Sequence, residues 1–337
     1  MPHAVHRELL GQTRRGSGRP AVVVTRRLPA PVESRLSELF DARLNPADRR
    51  MSRKKVAEAL CSADGLLVSV SERLDVELLG TEGLRARILA NFGVGYDHID
   101  VDAARARGIV VTNTPGVLTD DTADLAIALM LAVARRRGEG ERLVRAGRWR
   151  GWGPTEMLGT RVSGATLGIV GMGRIGLAVA RRARDGLGMR VLFHGGGRDP
   201  EVGALGAERR ERLGDLLAES DFVSLHVPST SRTRHLIDEA AFARMRPTAF
   251  LVNTSRGEVV DERALVEALR EGRIAGAGLD VYEREPDVPE ALRAMEQVVL
   301  LPHLGSATAA TRTAMGQRAV DNLEAFFRGG EPPDRVA

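Results

Sequence analysis

Short runs of apolar residues, many of them β-branched, alternate with longer amphipathic segments in the first third of the chain. The runs lie at residues 21–25, 65–69, 87–92 and 108–113. This alternation is typical of parallel strands that are joined by crossover helices. The pattern therefore predicts a first α/β domain over about residues 21–117.

A second series of apolar runs fills most of the remaining chain. Its six members lie at residues 166–171, 190–194, 221–227, 249–253, 275–281 and 298–301. Amphipathic segments separate these runs, which predicts six strands in a doubly wound parallel sheet. The expected fold class is therefore α/β with two domains, which suits a chain of 337 residues. A cleft between the two domains is the expected place for a small ligand.

Two further segments have helical patterns. Residues 120–134 begin with two aspartates after Thr119 and are apolar on nearly all sides, which predicts a buried helix. Three arginines follow that segment and suit the C-terminus of a helix. A long amphipathic helix is predicted after Ala307, and it could return to either domain.

Two other segments lack a regular pattern. Residues 138–165 contain both tryptophans, Trp149 and Trp152, and are predicted to form an arm or loop. Residues 1–20 are basic and rich in Gly and Ser, and they lack the apolar core of a secretory signal. We therefore expect a disordered leader there.

Composition narrows the class of protein. The hydrophobic fraction of 43% and the charged fraction of 28% are those of a globular protein. Only four more cations than anions are present, they are spread along the chain, and 4% of the residues are aromatic, so we expect no nucleic-acid partner. No apolar run is long enough to predict a membrane-spanning helix. The single cysteine, Cys61, predicts a cytoplasmic protein without a disulfide or a structural metal.

The segment GMGRIG follows the first strand of the second series and opens a predicted helix. Gly171 permits a tight turn, Gly173 lets backbone amides approach a pyrophosphate, and Gly176 allows the helix to contact the strand closely. The helix N-terminus stabilises phosphate charge. This context predicts a dinucleotide-binding site that includes the two residues between the last two glycines, Arg174 and Ile175.

The end of the next predicted strand indicates which dinucleotide is bound. Enzymes that use NAD place Asp or Glu there, whereas this chain has His194, three glycines and Arg198. No carboxylate is present to hold the ribose hydroxyls or to repel a 2′-phosphate. Arg198, with His194 nearby, suits that phosphate, so we predict NADP(H) as the preferred coenzyme and NAD(H) as the alternative.

Three titratable residues, Arg256, Glu285 and His303, follow later predicted strands, where a doubly wound fold places its active site. Reduction of a 2-oxo acid requires a cation to hold the carboxylate and an acid to protonate the oxygen. Arginine pairs with carboxylates in a bidentate manner, and histidine titrates near neutral pH. A neighbouring carboxylate stabilises the imidazolium form. Taken singly, each of the three also fits a structural role: a cap cation, a turn residue and a core histidine.

Several ordered sequence blocks make the chain resemble the D-isomer-specific 2-hydroxyacid dehydrogenase family and, within it, the glyoxylate/hydroxypyruvate reductases. The blocks are NFGVGYDHID (91–100), VTNTPGVLTDDTADLA (111–126), GIVGMGRIG (168–176), NTSRGEVVDERAL (253–265), AGAGLDVYEREP (275–286) and LPHLGSAT (301–308). The resemblance covers about residues 22–330 and implies reduction of a small 2-oxo acid. It places the family's catalytic Arg, Glu and His on Arg256, Glu285 and His303.

The resemblance also implies contacts with the substrate and the coenzyme. The amides of Val94 and Gly95 would hold the substrate carboxylate together with Arg256, in a neutral nest of backbone groups. The remaining positions assigned to the coenzyme site are Thr122, Pro228, Thr254, Asp280 and Ser306. The chain departs from the glyoxylate reductases in the loop after the predicted strand at residues 190–194, because Gly196 stands where they often carry Arg.

By the same resemblance the first domain is discontinuous, with residues 21–117 joined by 309–337 as the substrate domain. Residues 118–308 would form a Rossmann domain for the dinucleotide, and both domains would be Rossmann-like or flavodoxin-like. Family members are usually homodimers built through the coenzyme domain. Trp149 and Trp152 lie in the arm that would reach the partner.

Other functions stay open from the sequence alone. A formate-type dehydrogenase pairs its histidine with Gln, so Glu285 argues against it. A short 3-phosphoglycerate dehydrogenase, or a reductase of sugar acids or branched 2-oxo acids, fits the catalytic residues. A dinucleotide-sensing corepressor keeps the same Arg, Glu and His, and it differs by lacking rapid turnover.

Overall fold

The structure, a computed structural model, describes residues 18–197 and 200–337. Within these ranges the chain forms two compact units, residues 18–115 with Thr313–Ala337 and Gly116–Arg312. Each unit contains one sheet, and every strand pairing in the two sheets is parallel. The prediction of two doubly wound α/β units is confirmed. Most of the predicted leader, as well as Arg198, lies outside the described residues.

The first unit has five strands in the order β2-β1-β3-β4-β5. Its elements are β1 (Ala21–Val24), α1 (Ala30–Leu39), β2 (Asp41–Arg43), α2 (Arg53–Ser62), β3 (Gly65–Val68), α3 (Val76–Leu79), β4 (Ile88–Asn91), α4 (Val101–Ala106) and β5 (Val110–Thr112). Along β1, Val23 faces one apolar core, while Val22 and Val24 face the other. Helices therefore cover both faces of the sheet, which explains why its strands are apolar throughout.

The second unit has seven strands in the order β12-β11-β10-β9-β6-β7-β8. Its elements are α5 (Thr119–Ala134), α6 (Arg137–Arg145), β6 (Thr166–Met172), α7 (Arg174–Arg181), β7 (Arg190–Gly196), α8 (Pro200–Ala204), β8 (Glu208–Arg209), α9 (Leu213–Glu219), β9 (Phe222–Leu225), α10 (Glu239–Phe242), β10 (Phe250–Asn253), α11 (Glu262–Arg270), β11 (Gly276–Leu279), α12 (Glu290–Ala294) and β12 (Val298–Leu300). A π-helical turn, Arg182–Gly186, continues α7, and a 3-10 turn, Gly257–Val259, precedes α11. The C-terminal helix is α13 (Ala309–Phe327), which belongs to the first unit from Thr313 onward.

The strand order of the second unit determines where a ligand can bind. On β6, Ile169 faces one core and Val170 the other, so this strand is buried on both sides at the centre of the sheet. The chain runs outward from β6 to β8 on one side and from β9 to β12 on the other. Ligands of such sheets bind at the carboxyl ends of the strands beside this change of direction.

Two short strands were not predicted. Asp41–Arg43 (β2) is the half-exposed edge strand of the first sheet and pairs only with β1. Glu208–Arg209 (β8) is an edge strand of the second sheet, and both of its residues are exposed. An edge strand is solvated on one side and needs no apolar run, so periodicity does not detect it. The second sheet therefore has one strand more than the predicted six.

The first two helices of the second unit, α5 and α6, differ in how far their residues are buried. The helix predicted over residues 120–134 is α5, with Ala126, Leu129 and Met130 among its buried residues. The predicted arm contains a helix, α6, that has no buried residue. None of the helices in residues 18–197 and 200–337 combines the length and apolarity that crossing a membrane requires.

Candidate active site

The turn between β6 and α7 requires glycine at two positions. Gly171 has a φ of +96°, and a Cβ on it would lie 2.7 Å from the carbonyl oxygen of His226. A Cβ on Gly176 would lie 2.3 Å from the carbonyl oxygen of Gly171. The helix therefore approaches the strand more closely than any other residue type would permit, as dinucleotide-binding turns require.

The N-terminus of α7 is suited to an anion. Gly173 is its N-cap residue, and no side chain of the described chain caps the first amides of this helix. A Cβ on Gly173 would have no neighbour within 4 Å. Open amides at a helix start attract phosphate charge. On the same turn, Arg174 is exposed and Ile175 is half-buried.

Thr254, directly after β10, has a buried hydroxyl that lacks a partner. The residue is 8% exposed, and its Oγ1 makes no hydrogen bond to any described residue. A buried hydroxyl of this kind costs free energy unless a ligand bonds to it. Nearby along the sheet edge, Pro228 is exposed after β9, and its carbonyl accepts a 2.6 Å hydrogen bond from Thr233. The glycine turn, the open helix start and Thr254 together fit a bound dinucleotide.

The end of β7 presents a histidine and a glycine-rich turn. His194 Nδ1 lies 3.0 Å from the carbonyl oxygen of Arg210, so Nδ1 carries a proton and Nε2 can bind a further group. The next three residues, Gly195 to Gly197, all have φ between +73° and +79°. Since Arg198 lies outside the described residues, its predicted contact with a 2′-phosphate stays a prediction.

Arg256 is placed by the turn that follows β10. The Asn253 side chain accepts a 3.0 Å hydrogen bond from the Ser255 amide and donates a 2.9 Å hydrogen bond to the Arg256 carbonyl. Arg256 itself is half-buried, and its Nη1 donates to the Ser255 carbonyl at 2.8 Å. This side-chain clamp by Asn253 was not predicted, although an Asn two residues before a turn Ser is a common local capping signal.

His303 and Glu285 are in direct contact. His303 Nδ1 lies 2.9 Å from Glu285 Oε2, and each side chain is about one third exposed. Burial opposes ionisation of Glu285, but the hydrogen bond from His303 and the charges of His303 and Arg256 outweigh it and lower the pKa of Glu285. The carboxylate is therefore ionised at neutral pH. The structure thus places Glu285 in contact with His303 and within electrostatic range of Arg256.

His303 is presented in a strained backbone conformation with a φ of +55°. Asp280 holds this conformation: its carbonyl accepts from the His303 amide at 2.9 Å, and its carboxylate accepts from the amides of Leu304 at 2.6 Å and Gly305 at 2.8 Å. Burial raises the pKa of Asp280, although these amides and the His303 charge act in the opposite direction. A backbone conformation of this cost persists only where the surroundings enforce it.

The sequence analysis assigned Asp280 to the coenzyme site. In the structure, Asp280 also fixes the backbone of the loop after β12, residues 303–305. Thr122 reaches the same loop, with its hydroxyl 3.1 Å from the Gly305 carbonyl and 2.9 Å from the Leu118 carbonyl. Ser306 is half-buried in the loop. These three residues thus lie together around the backbone that follows His303.

In the first unit, Val94 and Gly95 lie in the loop after β4. Asn91 donates to the carbonyls of Gly93 and Gly95, each at 2.9 Å, and Asn113 donates to the carbonyl of Val94 at 2.8 Å. Within the described ranges the amides of Val94 and Gly95 make no hydrogen bond. With the carbonyls engaged and the amides open, the loop has the features of a nest that suits an anion. Neither asparagine was singled out from the sequence.

His226 was also missed by the sequence analysis. It follows β9, next to the glycine turn, and its Nε2 lies 2.8 Å from the Ser224 hydroxyl. Burial lowers the pKa of His226 to about 4, so the ring is neutral at physiological pH. The ring therefore adds no charge beneath the turn.

In the part of the chain that the structure describes, three or more His, Cys, Asp or Glu side chains are nowhere grouped so that they could hold a metal ion.

Comparison with known proteins places these features in one family. The model of the family described as "D-isomer specific 2-hydroxyacid dehydrogenase, NAD binding domain" matches residues 127–305. A glyoxylate reductase of Thermococcus kodakarensis is 49% identical over 323 residues, which are 94% of this chain and 96% of that protein. A glyoxylate reductase of Korarchaeum cryptofilum is 50% identical over 321 residues, with the same two coverages.

Solved structures agree with the sequence relatives. An NADPH-dependent glyoxylate/hydroxypyruvate reductase from Sinorhizobium meliloti, in complex with NADP and malonate, superposes with a TM-score of 0.84 at 41% identity. The match covers 95% of this chain and 97% of that one. A glyoxylate reductase from Paecilomyes thermophila has a TM-score of 0.84 at 35% identity, over 95% of this chain and 99% of the other.

Proposed function

The chain belongs to the D-isomer specific 2-hydroxyacid dehydrogenase family and is an NAD(P)-dependent oxidoreductase, and we propose that it reduces glyoxylate and hydroxypyruvate to the corresponding 2-hydroxy acids. The observation that carries this proposal is the contact between His303 and an ionised Glu285 beside Arg256, at the strand ends of a dinucleotide-binding sheet. The two sequence relatives described above are both named glyoxylate reductase, which supports glyoxylate as a substrate.

In this proposal each residue of the site has a defined role in the reaction. Arg256 binds the substrate carboxylate and polarises the carbonyl. In the first unit, the amides of Val94 and Gly95 are the groups suited to a carboxylate. The hydride for the carbonyl carbon would come from the reduced coenzyme when it is bound. His303 donates the Nε2 proton to the carbonyl oxygen, and Glu285 stabilises the imidazolium until that transfer. The first unit is the substrate domain and the second binds the coenzyme.

The test is a steady-state assay of the purified protein with a panel of 2-oxo acids, each with NADPH and with NADH. We expect turnover of glyoxylate and hydroxypyruvate at about 1 per second or faster, as is usual for enzymes. Better use of a branched 2-oxo acid, a sugar acid or a phosphorylated substrate would redirect the assignment within the family. Turnover below about 0.01 per second with every acid would instead favour a dinucleotide-sensing binding protein.

For the coenzyme, we infer a preference for NADP(H). Residues 194–197, where β7 ends, include no carboxylate, His194 keeps Nε2 available there, and the Sinorhizobium relative is described as NADPH-dependent. NADPH should bind at least tenfold more tightly than NADH when the dissociation constants are measured by coenzyme fluorescence. A hydrogen bond to a charged phosphate contributes about that factor in affinity. A His194→Asp variant should reduce this ratio. Equal or tighter binding of NADH by the unmodified protein would overturn the preference.

We also infer a homodimer that is formed through the segment around α6. Trp149 is 58% exposed and Trp152 is 84% exposed, and Val144 and Leu158 add further exposed apolar surface. Several exposed apolar side chains in one segment are typical of a protein interface. Light scattering should give the mass of two chains, and a Trp149→Ser/Trp152→Ser variant should be monomeric. A monomer for the unmodified protein would contradict the inference.

A cytoplasmic location is proposed on the chemistry of Cys61, a free thiol in the structure. Fractionation of the source cells tests it, because recovery of the protein from an oxidising compartment would contradict the proposal.

A further inference from the structure

The position of Glu285 is set by the peptide that precedes it. Glu285 uses Oε2 for His303, and its Oε1 accepts a 3.2 Å hydrogen bond from the amide of Tyr282. The next amide, that of Glu283, donates to Glu262 Oε1 at 2.9 Å. Any displacement of the main chain at Tyr282 and Glu283 therefore also displaces the carboxylate that contacts His303.

The same peptide lies directly against the segment that carries Arg256. A Cβ on Gly257 would lie 1.8 Å from the carbonyl carbon of Tyr282 and 2.3 Å from the amide nitrogen of Glu283. Only glycine can stand there, so the residue after the catalytic arginine and the segment before the catalytic glutamate are in backbone contact. The two segments cannot move independently.

His235 connects both segments from a third direction. It lies in the loop between β9 and α10, and its amide donates to the carbonyl of Glu258 at 2.7 Å, one residue beyond Gly257. Its ring Nε2 bonds to Glu283 Oε1. One residue thus holds the arginine segment through its backbone and the glutamate segment through its side chain.

The backbone of His235 supports a functional reason for this contact. Its φ is +49°, in the left-handed region that residues with a Cβ rarely adopt. Such conformations concentrate where a precise side-chain placement is needed. Within the described residues, His303 in the active site and His235 in this contact are two of five non-glycine residues with positive φ.

Acidic groups surround the His235 ring. Asp261 Oδ2 lies 3.9 Å from Nδ1, Glu283 bonds to Nε2, and Glu262 is the partner of the Glu283 amide. Burial raises the pKa of Glu262, and the charges of Glu283 and Glu285 act in the same direction. The His235 ring thus lies between the carboxylates of Asp261 and Glu283 and contacts the one that precedes Glu285 by two residues.

We propose that His235 and Glu283 form a positioning pair that holds the Glu285 carboxylate against His303. The pair makes no contact with the reacting atoms and acts only through Glu285. This inference rests on the proposed reductase function.

The test uses the full-length protein with four single variants and the double variant Glu283→Ala/His235→Asn. Glu283→Ala removes the contact, and Glu283→Gln keeps an oxygen that can accept from His235. His235→Asn removes the ring, and Asn tolerates a positive φ better than most residues do. The matched control is Glu258→Gln in the neighbouring turn after Arg256, since the Glu258 side chain has no hydrogen bond or ion pair among the residues described.

We expect Glu283→Ala and His235→Asn each to lower kcat about tenfold, because small displacements of a catalytic group carry losses of this order. The KM for the coenzyme should stay within twofold. The alkaline limb of the kcat profile should move about one unit to lower pH, since the imidazolium loses its aligned carboxylate. Glu283→Gln should recover most of kcat, and combining both substitutions should cost no more than either alone.

Two outcomes would overturn the pairing. One is that Glu283→Ala and His235→Asn match the Glu258→Gln control in kcat and in the pH profile. The other is a loss of activity that follows a fall in thermal stability, with an unchanged alkaline limb and with additive effects. NADPH binding, followed by coenzyme fluorescence, verifies that each variant is folded. If the unmodified protein reduces neither acid, the proposed function fails first, whereas normal activity with silent variants refutes only the pair.

Discussion

The two sheets end in binding groups of opposite character. At the strand ends of the second unit, charged side chains gather: the Arg256 guanidinium, the Glu285 carboxylate and the His303 imidazole. In the first unit the loop after β4 offers backbone amides, at Val94 and Gly95, whose orientation neutral asparagine side chains maintain. The same topology therefore supports one site built from charge and another built from fixed dipoles.

This difference separates chemistry from recognition. A nest of amides does not titrate, so it can bind a carboxylate equally well at every pH at which the protein is folded. The charged cluster depends on protonation, and it carries the strained backbone of His303 with its φ of +55°. Substitutions in the charged cluster should therefore change kcat, and at Arg256 substrate binding as well, whereas those in the loop after β4 should change substrate binding alone.

The largest effect is expected from His303→Ala. Loss of the proton donor should lower kcat by about a hundredfold or more, which is the usual contribution of general acid catalysis. Binding of NADPH should change little, because the glycine turn is intact. Stopped-flow measurement of a single turnover checks the chemical step directly. Near-normal reduction by this variant would show that another group donates the proton.

Arg256→Ala should follow in size. Loss of the charge-assisted contacts should raise KM for the 2-oxo acid about tenfold and lower kcat about threefold, since Arg256 acts on both the ground state and the transition state. Arg256→Lys is the matched variant, and it should recover only part of the loss because it cannot bind in a bidentate manner. A pure kcat effect with unchanged KM would remove Arg256 from substrate binding.

The elements of both units were predictable where apolar runs are long. The strands Thr166–Met172 and Phe250–Asn253 are buried on both faces, and their composition shows it directly. The edge strands Asp41–Arg43 and Glu208–Arg209 were missed because one side of each faces solvent. Helix α6 was missed because none of its residues is buried, which leaves no apolar stripe to detect.

The site shows the same division. Residues whose chemistry is visible in their type, such as Arg256 and His303, could be proposed from the sequence. The supporting residues Asn113 and His235 could not, because each acts through a hydrogen bond to a residue distant in the chain, Val94 and Glu283 respectively. Their local sequence holds no signal for such a contact, and only the fold places the partners together.

Asn113→Ala tests the site built from dipoles. The variant leaves the Val94 carbonyl without its 2.8 Å hydrogen bond, so the loop loses one of its fixed groups. We expect KM for the 2-oxo acid to rise about fivefold, which corresponds to one ordinary hydrogen bond. The kcat, its pH profile and NADPH binding should stay within twofold of the unmodified protein. A shift in the pH profile would mean that the nest takes part in proton transfer, contrary to the division drawn above.

The smallest effect concerns charge in the first unit that lies outside the nest. Arg53 donates to both carboxylate oxygens of Asp75, at 2.9 and 2.6 Å, and this hydrogen bond lowers the pKa of Asp75 to about 2. Asp75 also caps helix α3 by accepting from the Leu78 amide. Asp75→Asn keeps an N-cap acceptor and removes only the charge, which isolates the ion pair.

We expect Asp75→Asn to lower Tm by about 2 °C or less at pH 7, because an ion pair this open to solvent contributes little. Since the folded-state pKa lies below the ordinary value of 3.8, the contribution is complete above about pH 4 and is lost as the pH falls through 2. Thermal unfolding of both proteins at pH 7, 4 and 3 should show the difference shrinking only at the lowest pH, with kcat and KM at neutral pH unchanged. If activity fell together with Tm, a charge in the first unit would affect the reaction. The contrast between the charged cluster of the second unit and the neutral loop of the first would then be wrong.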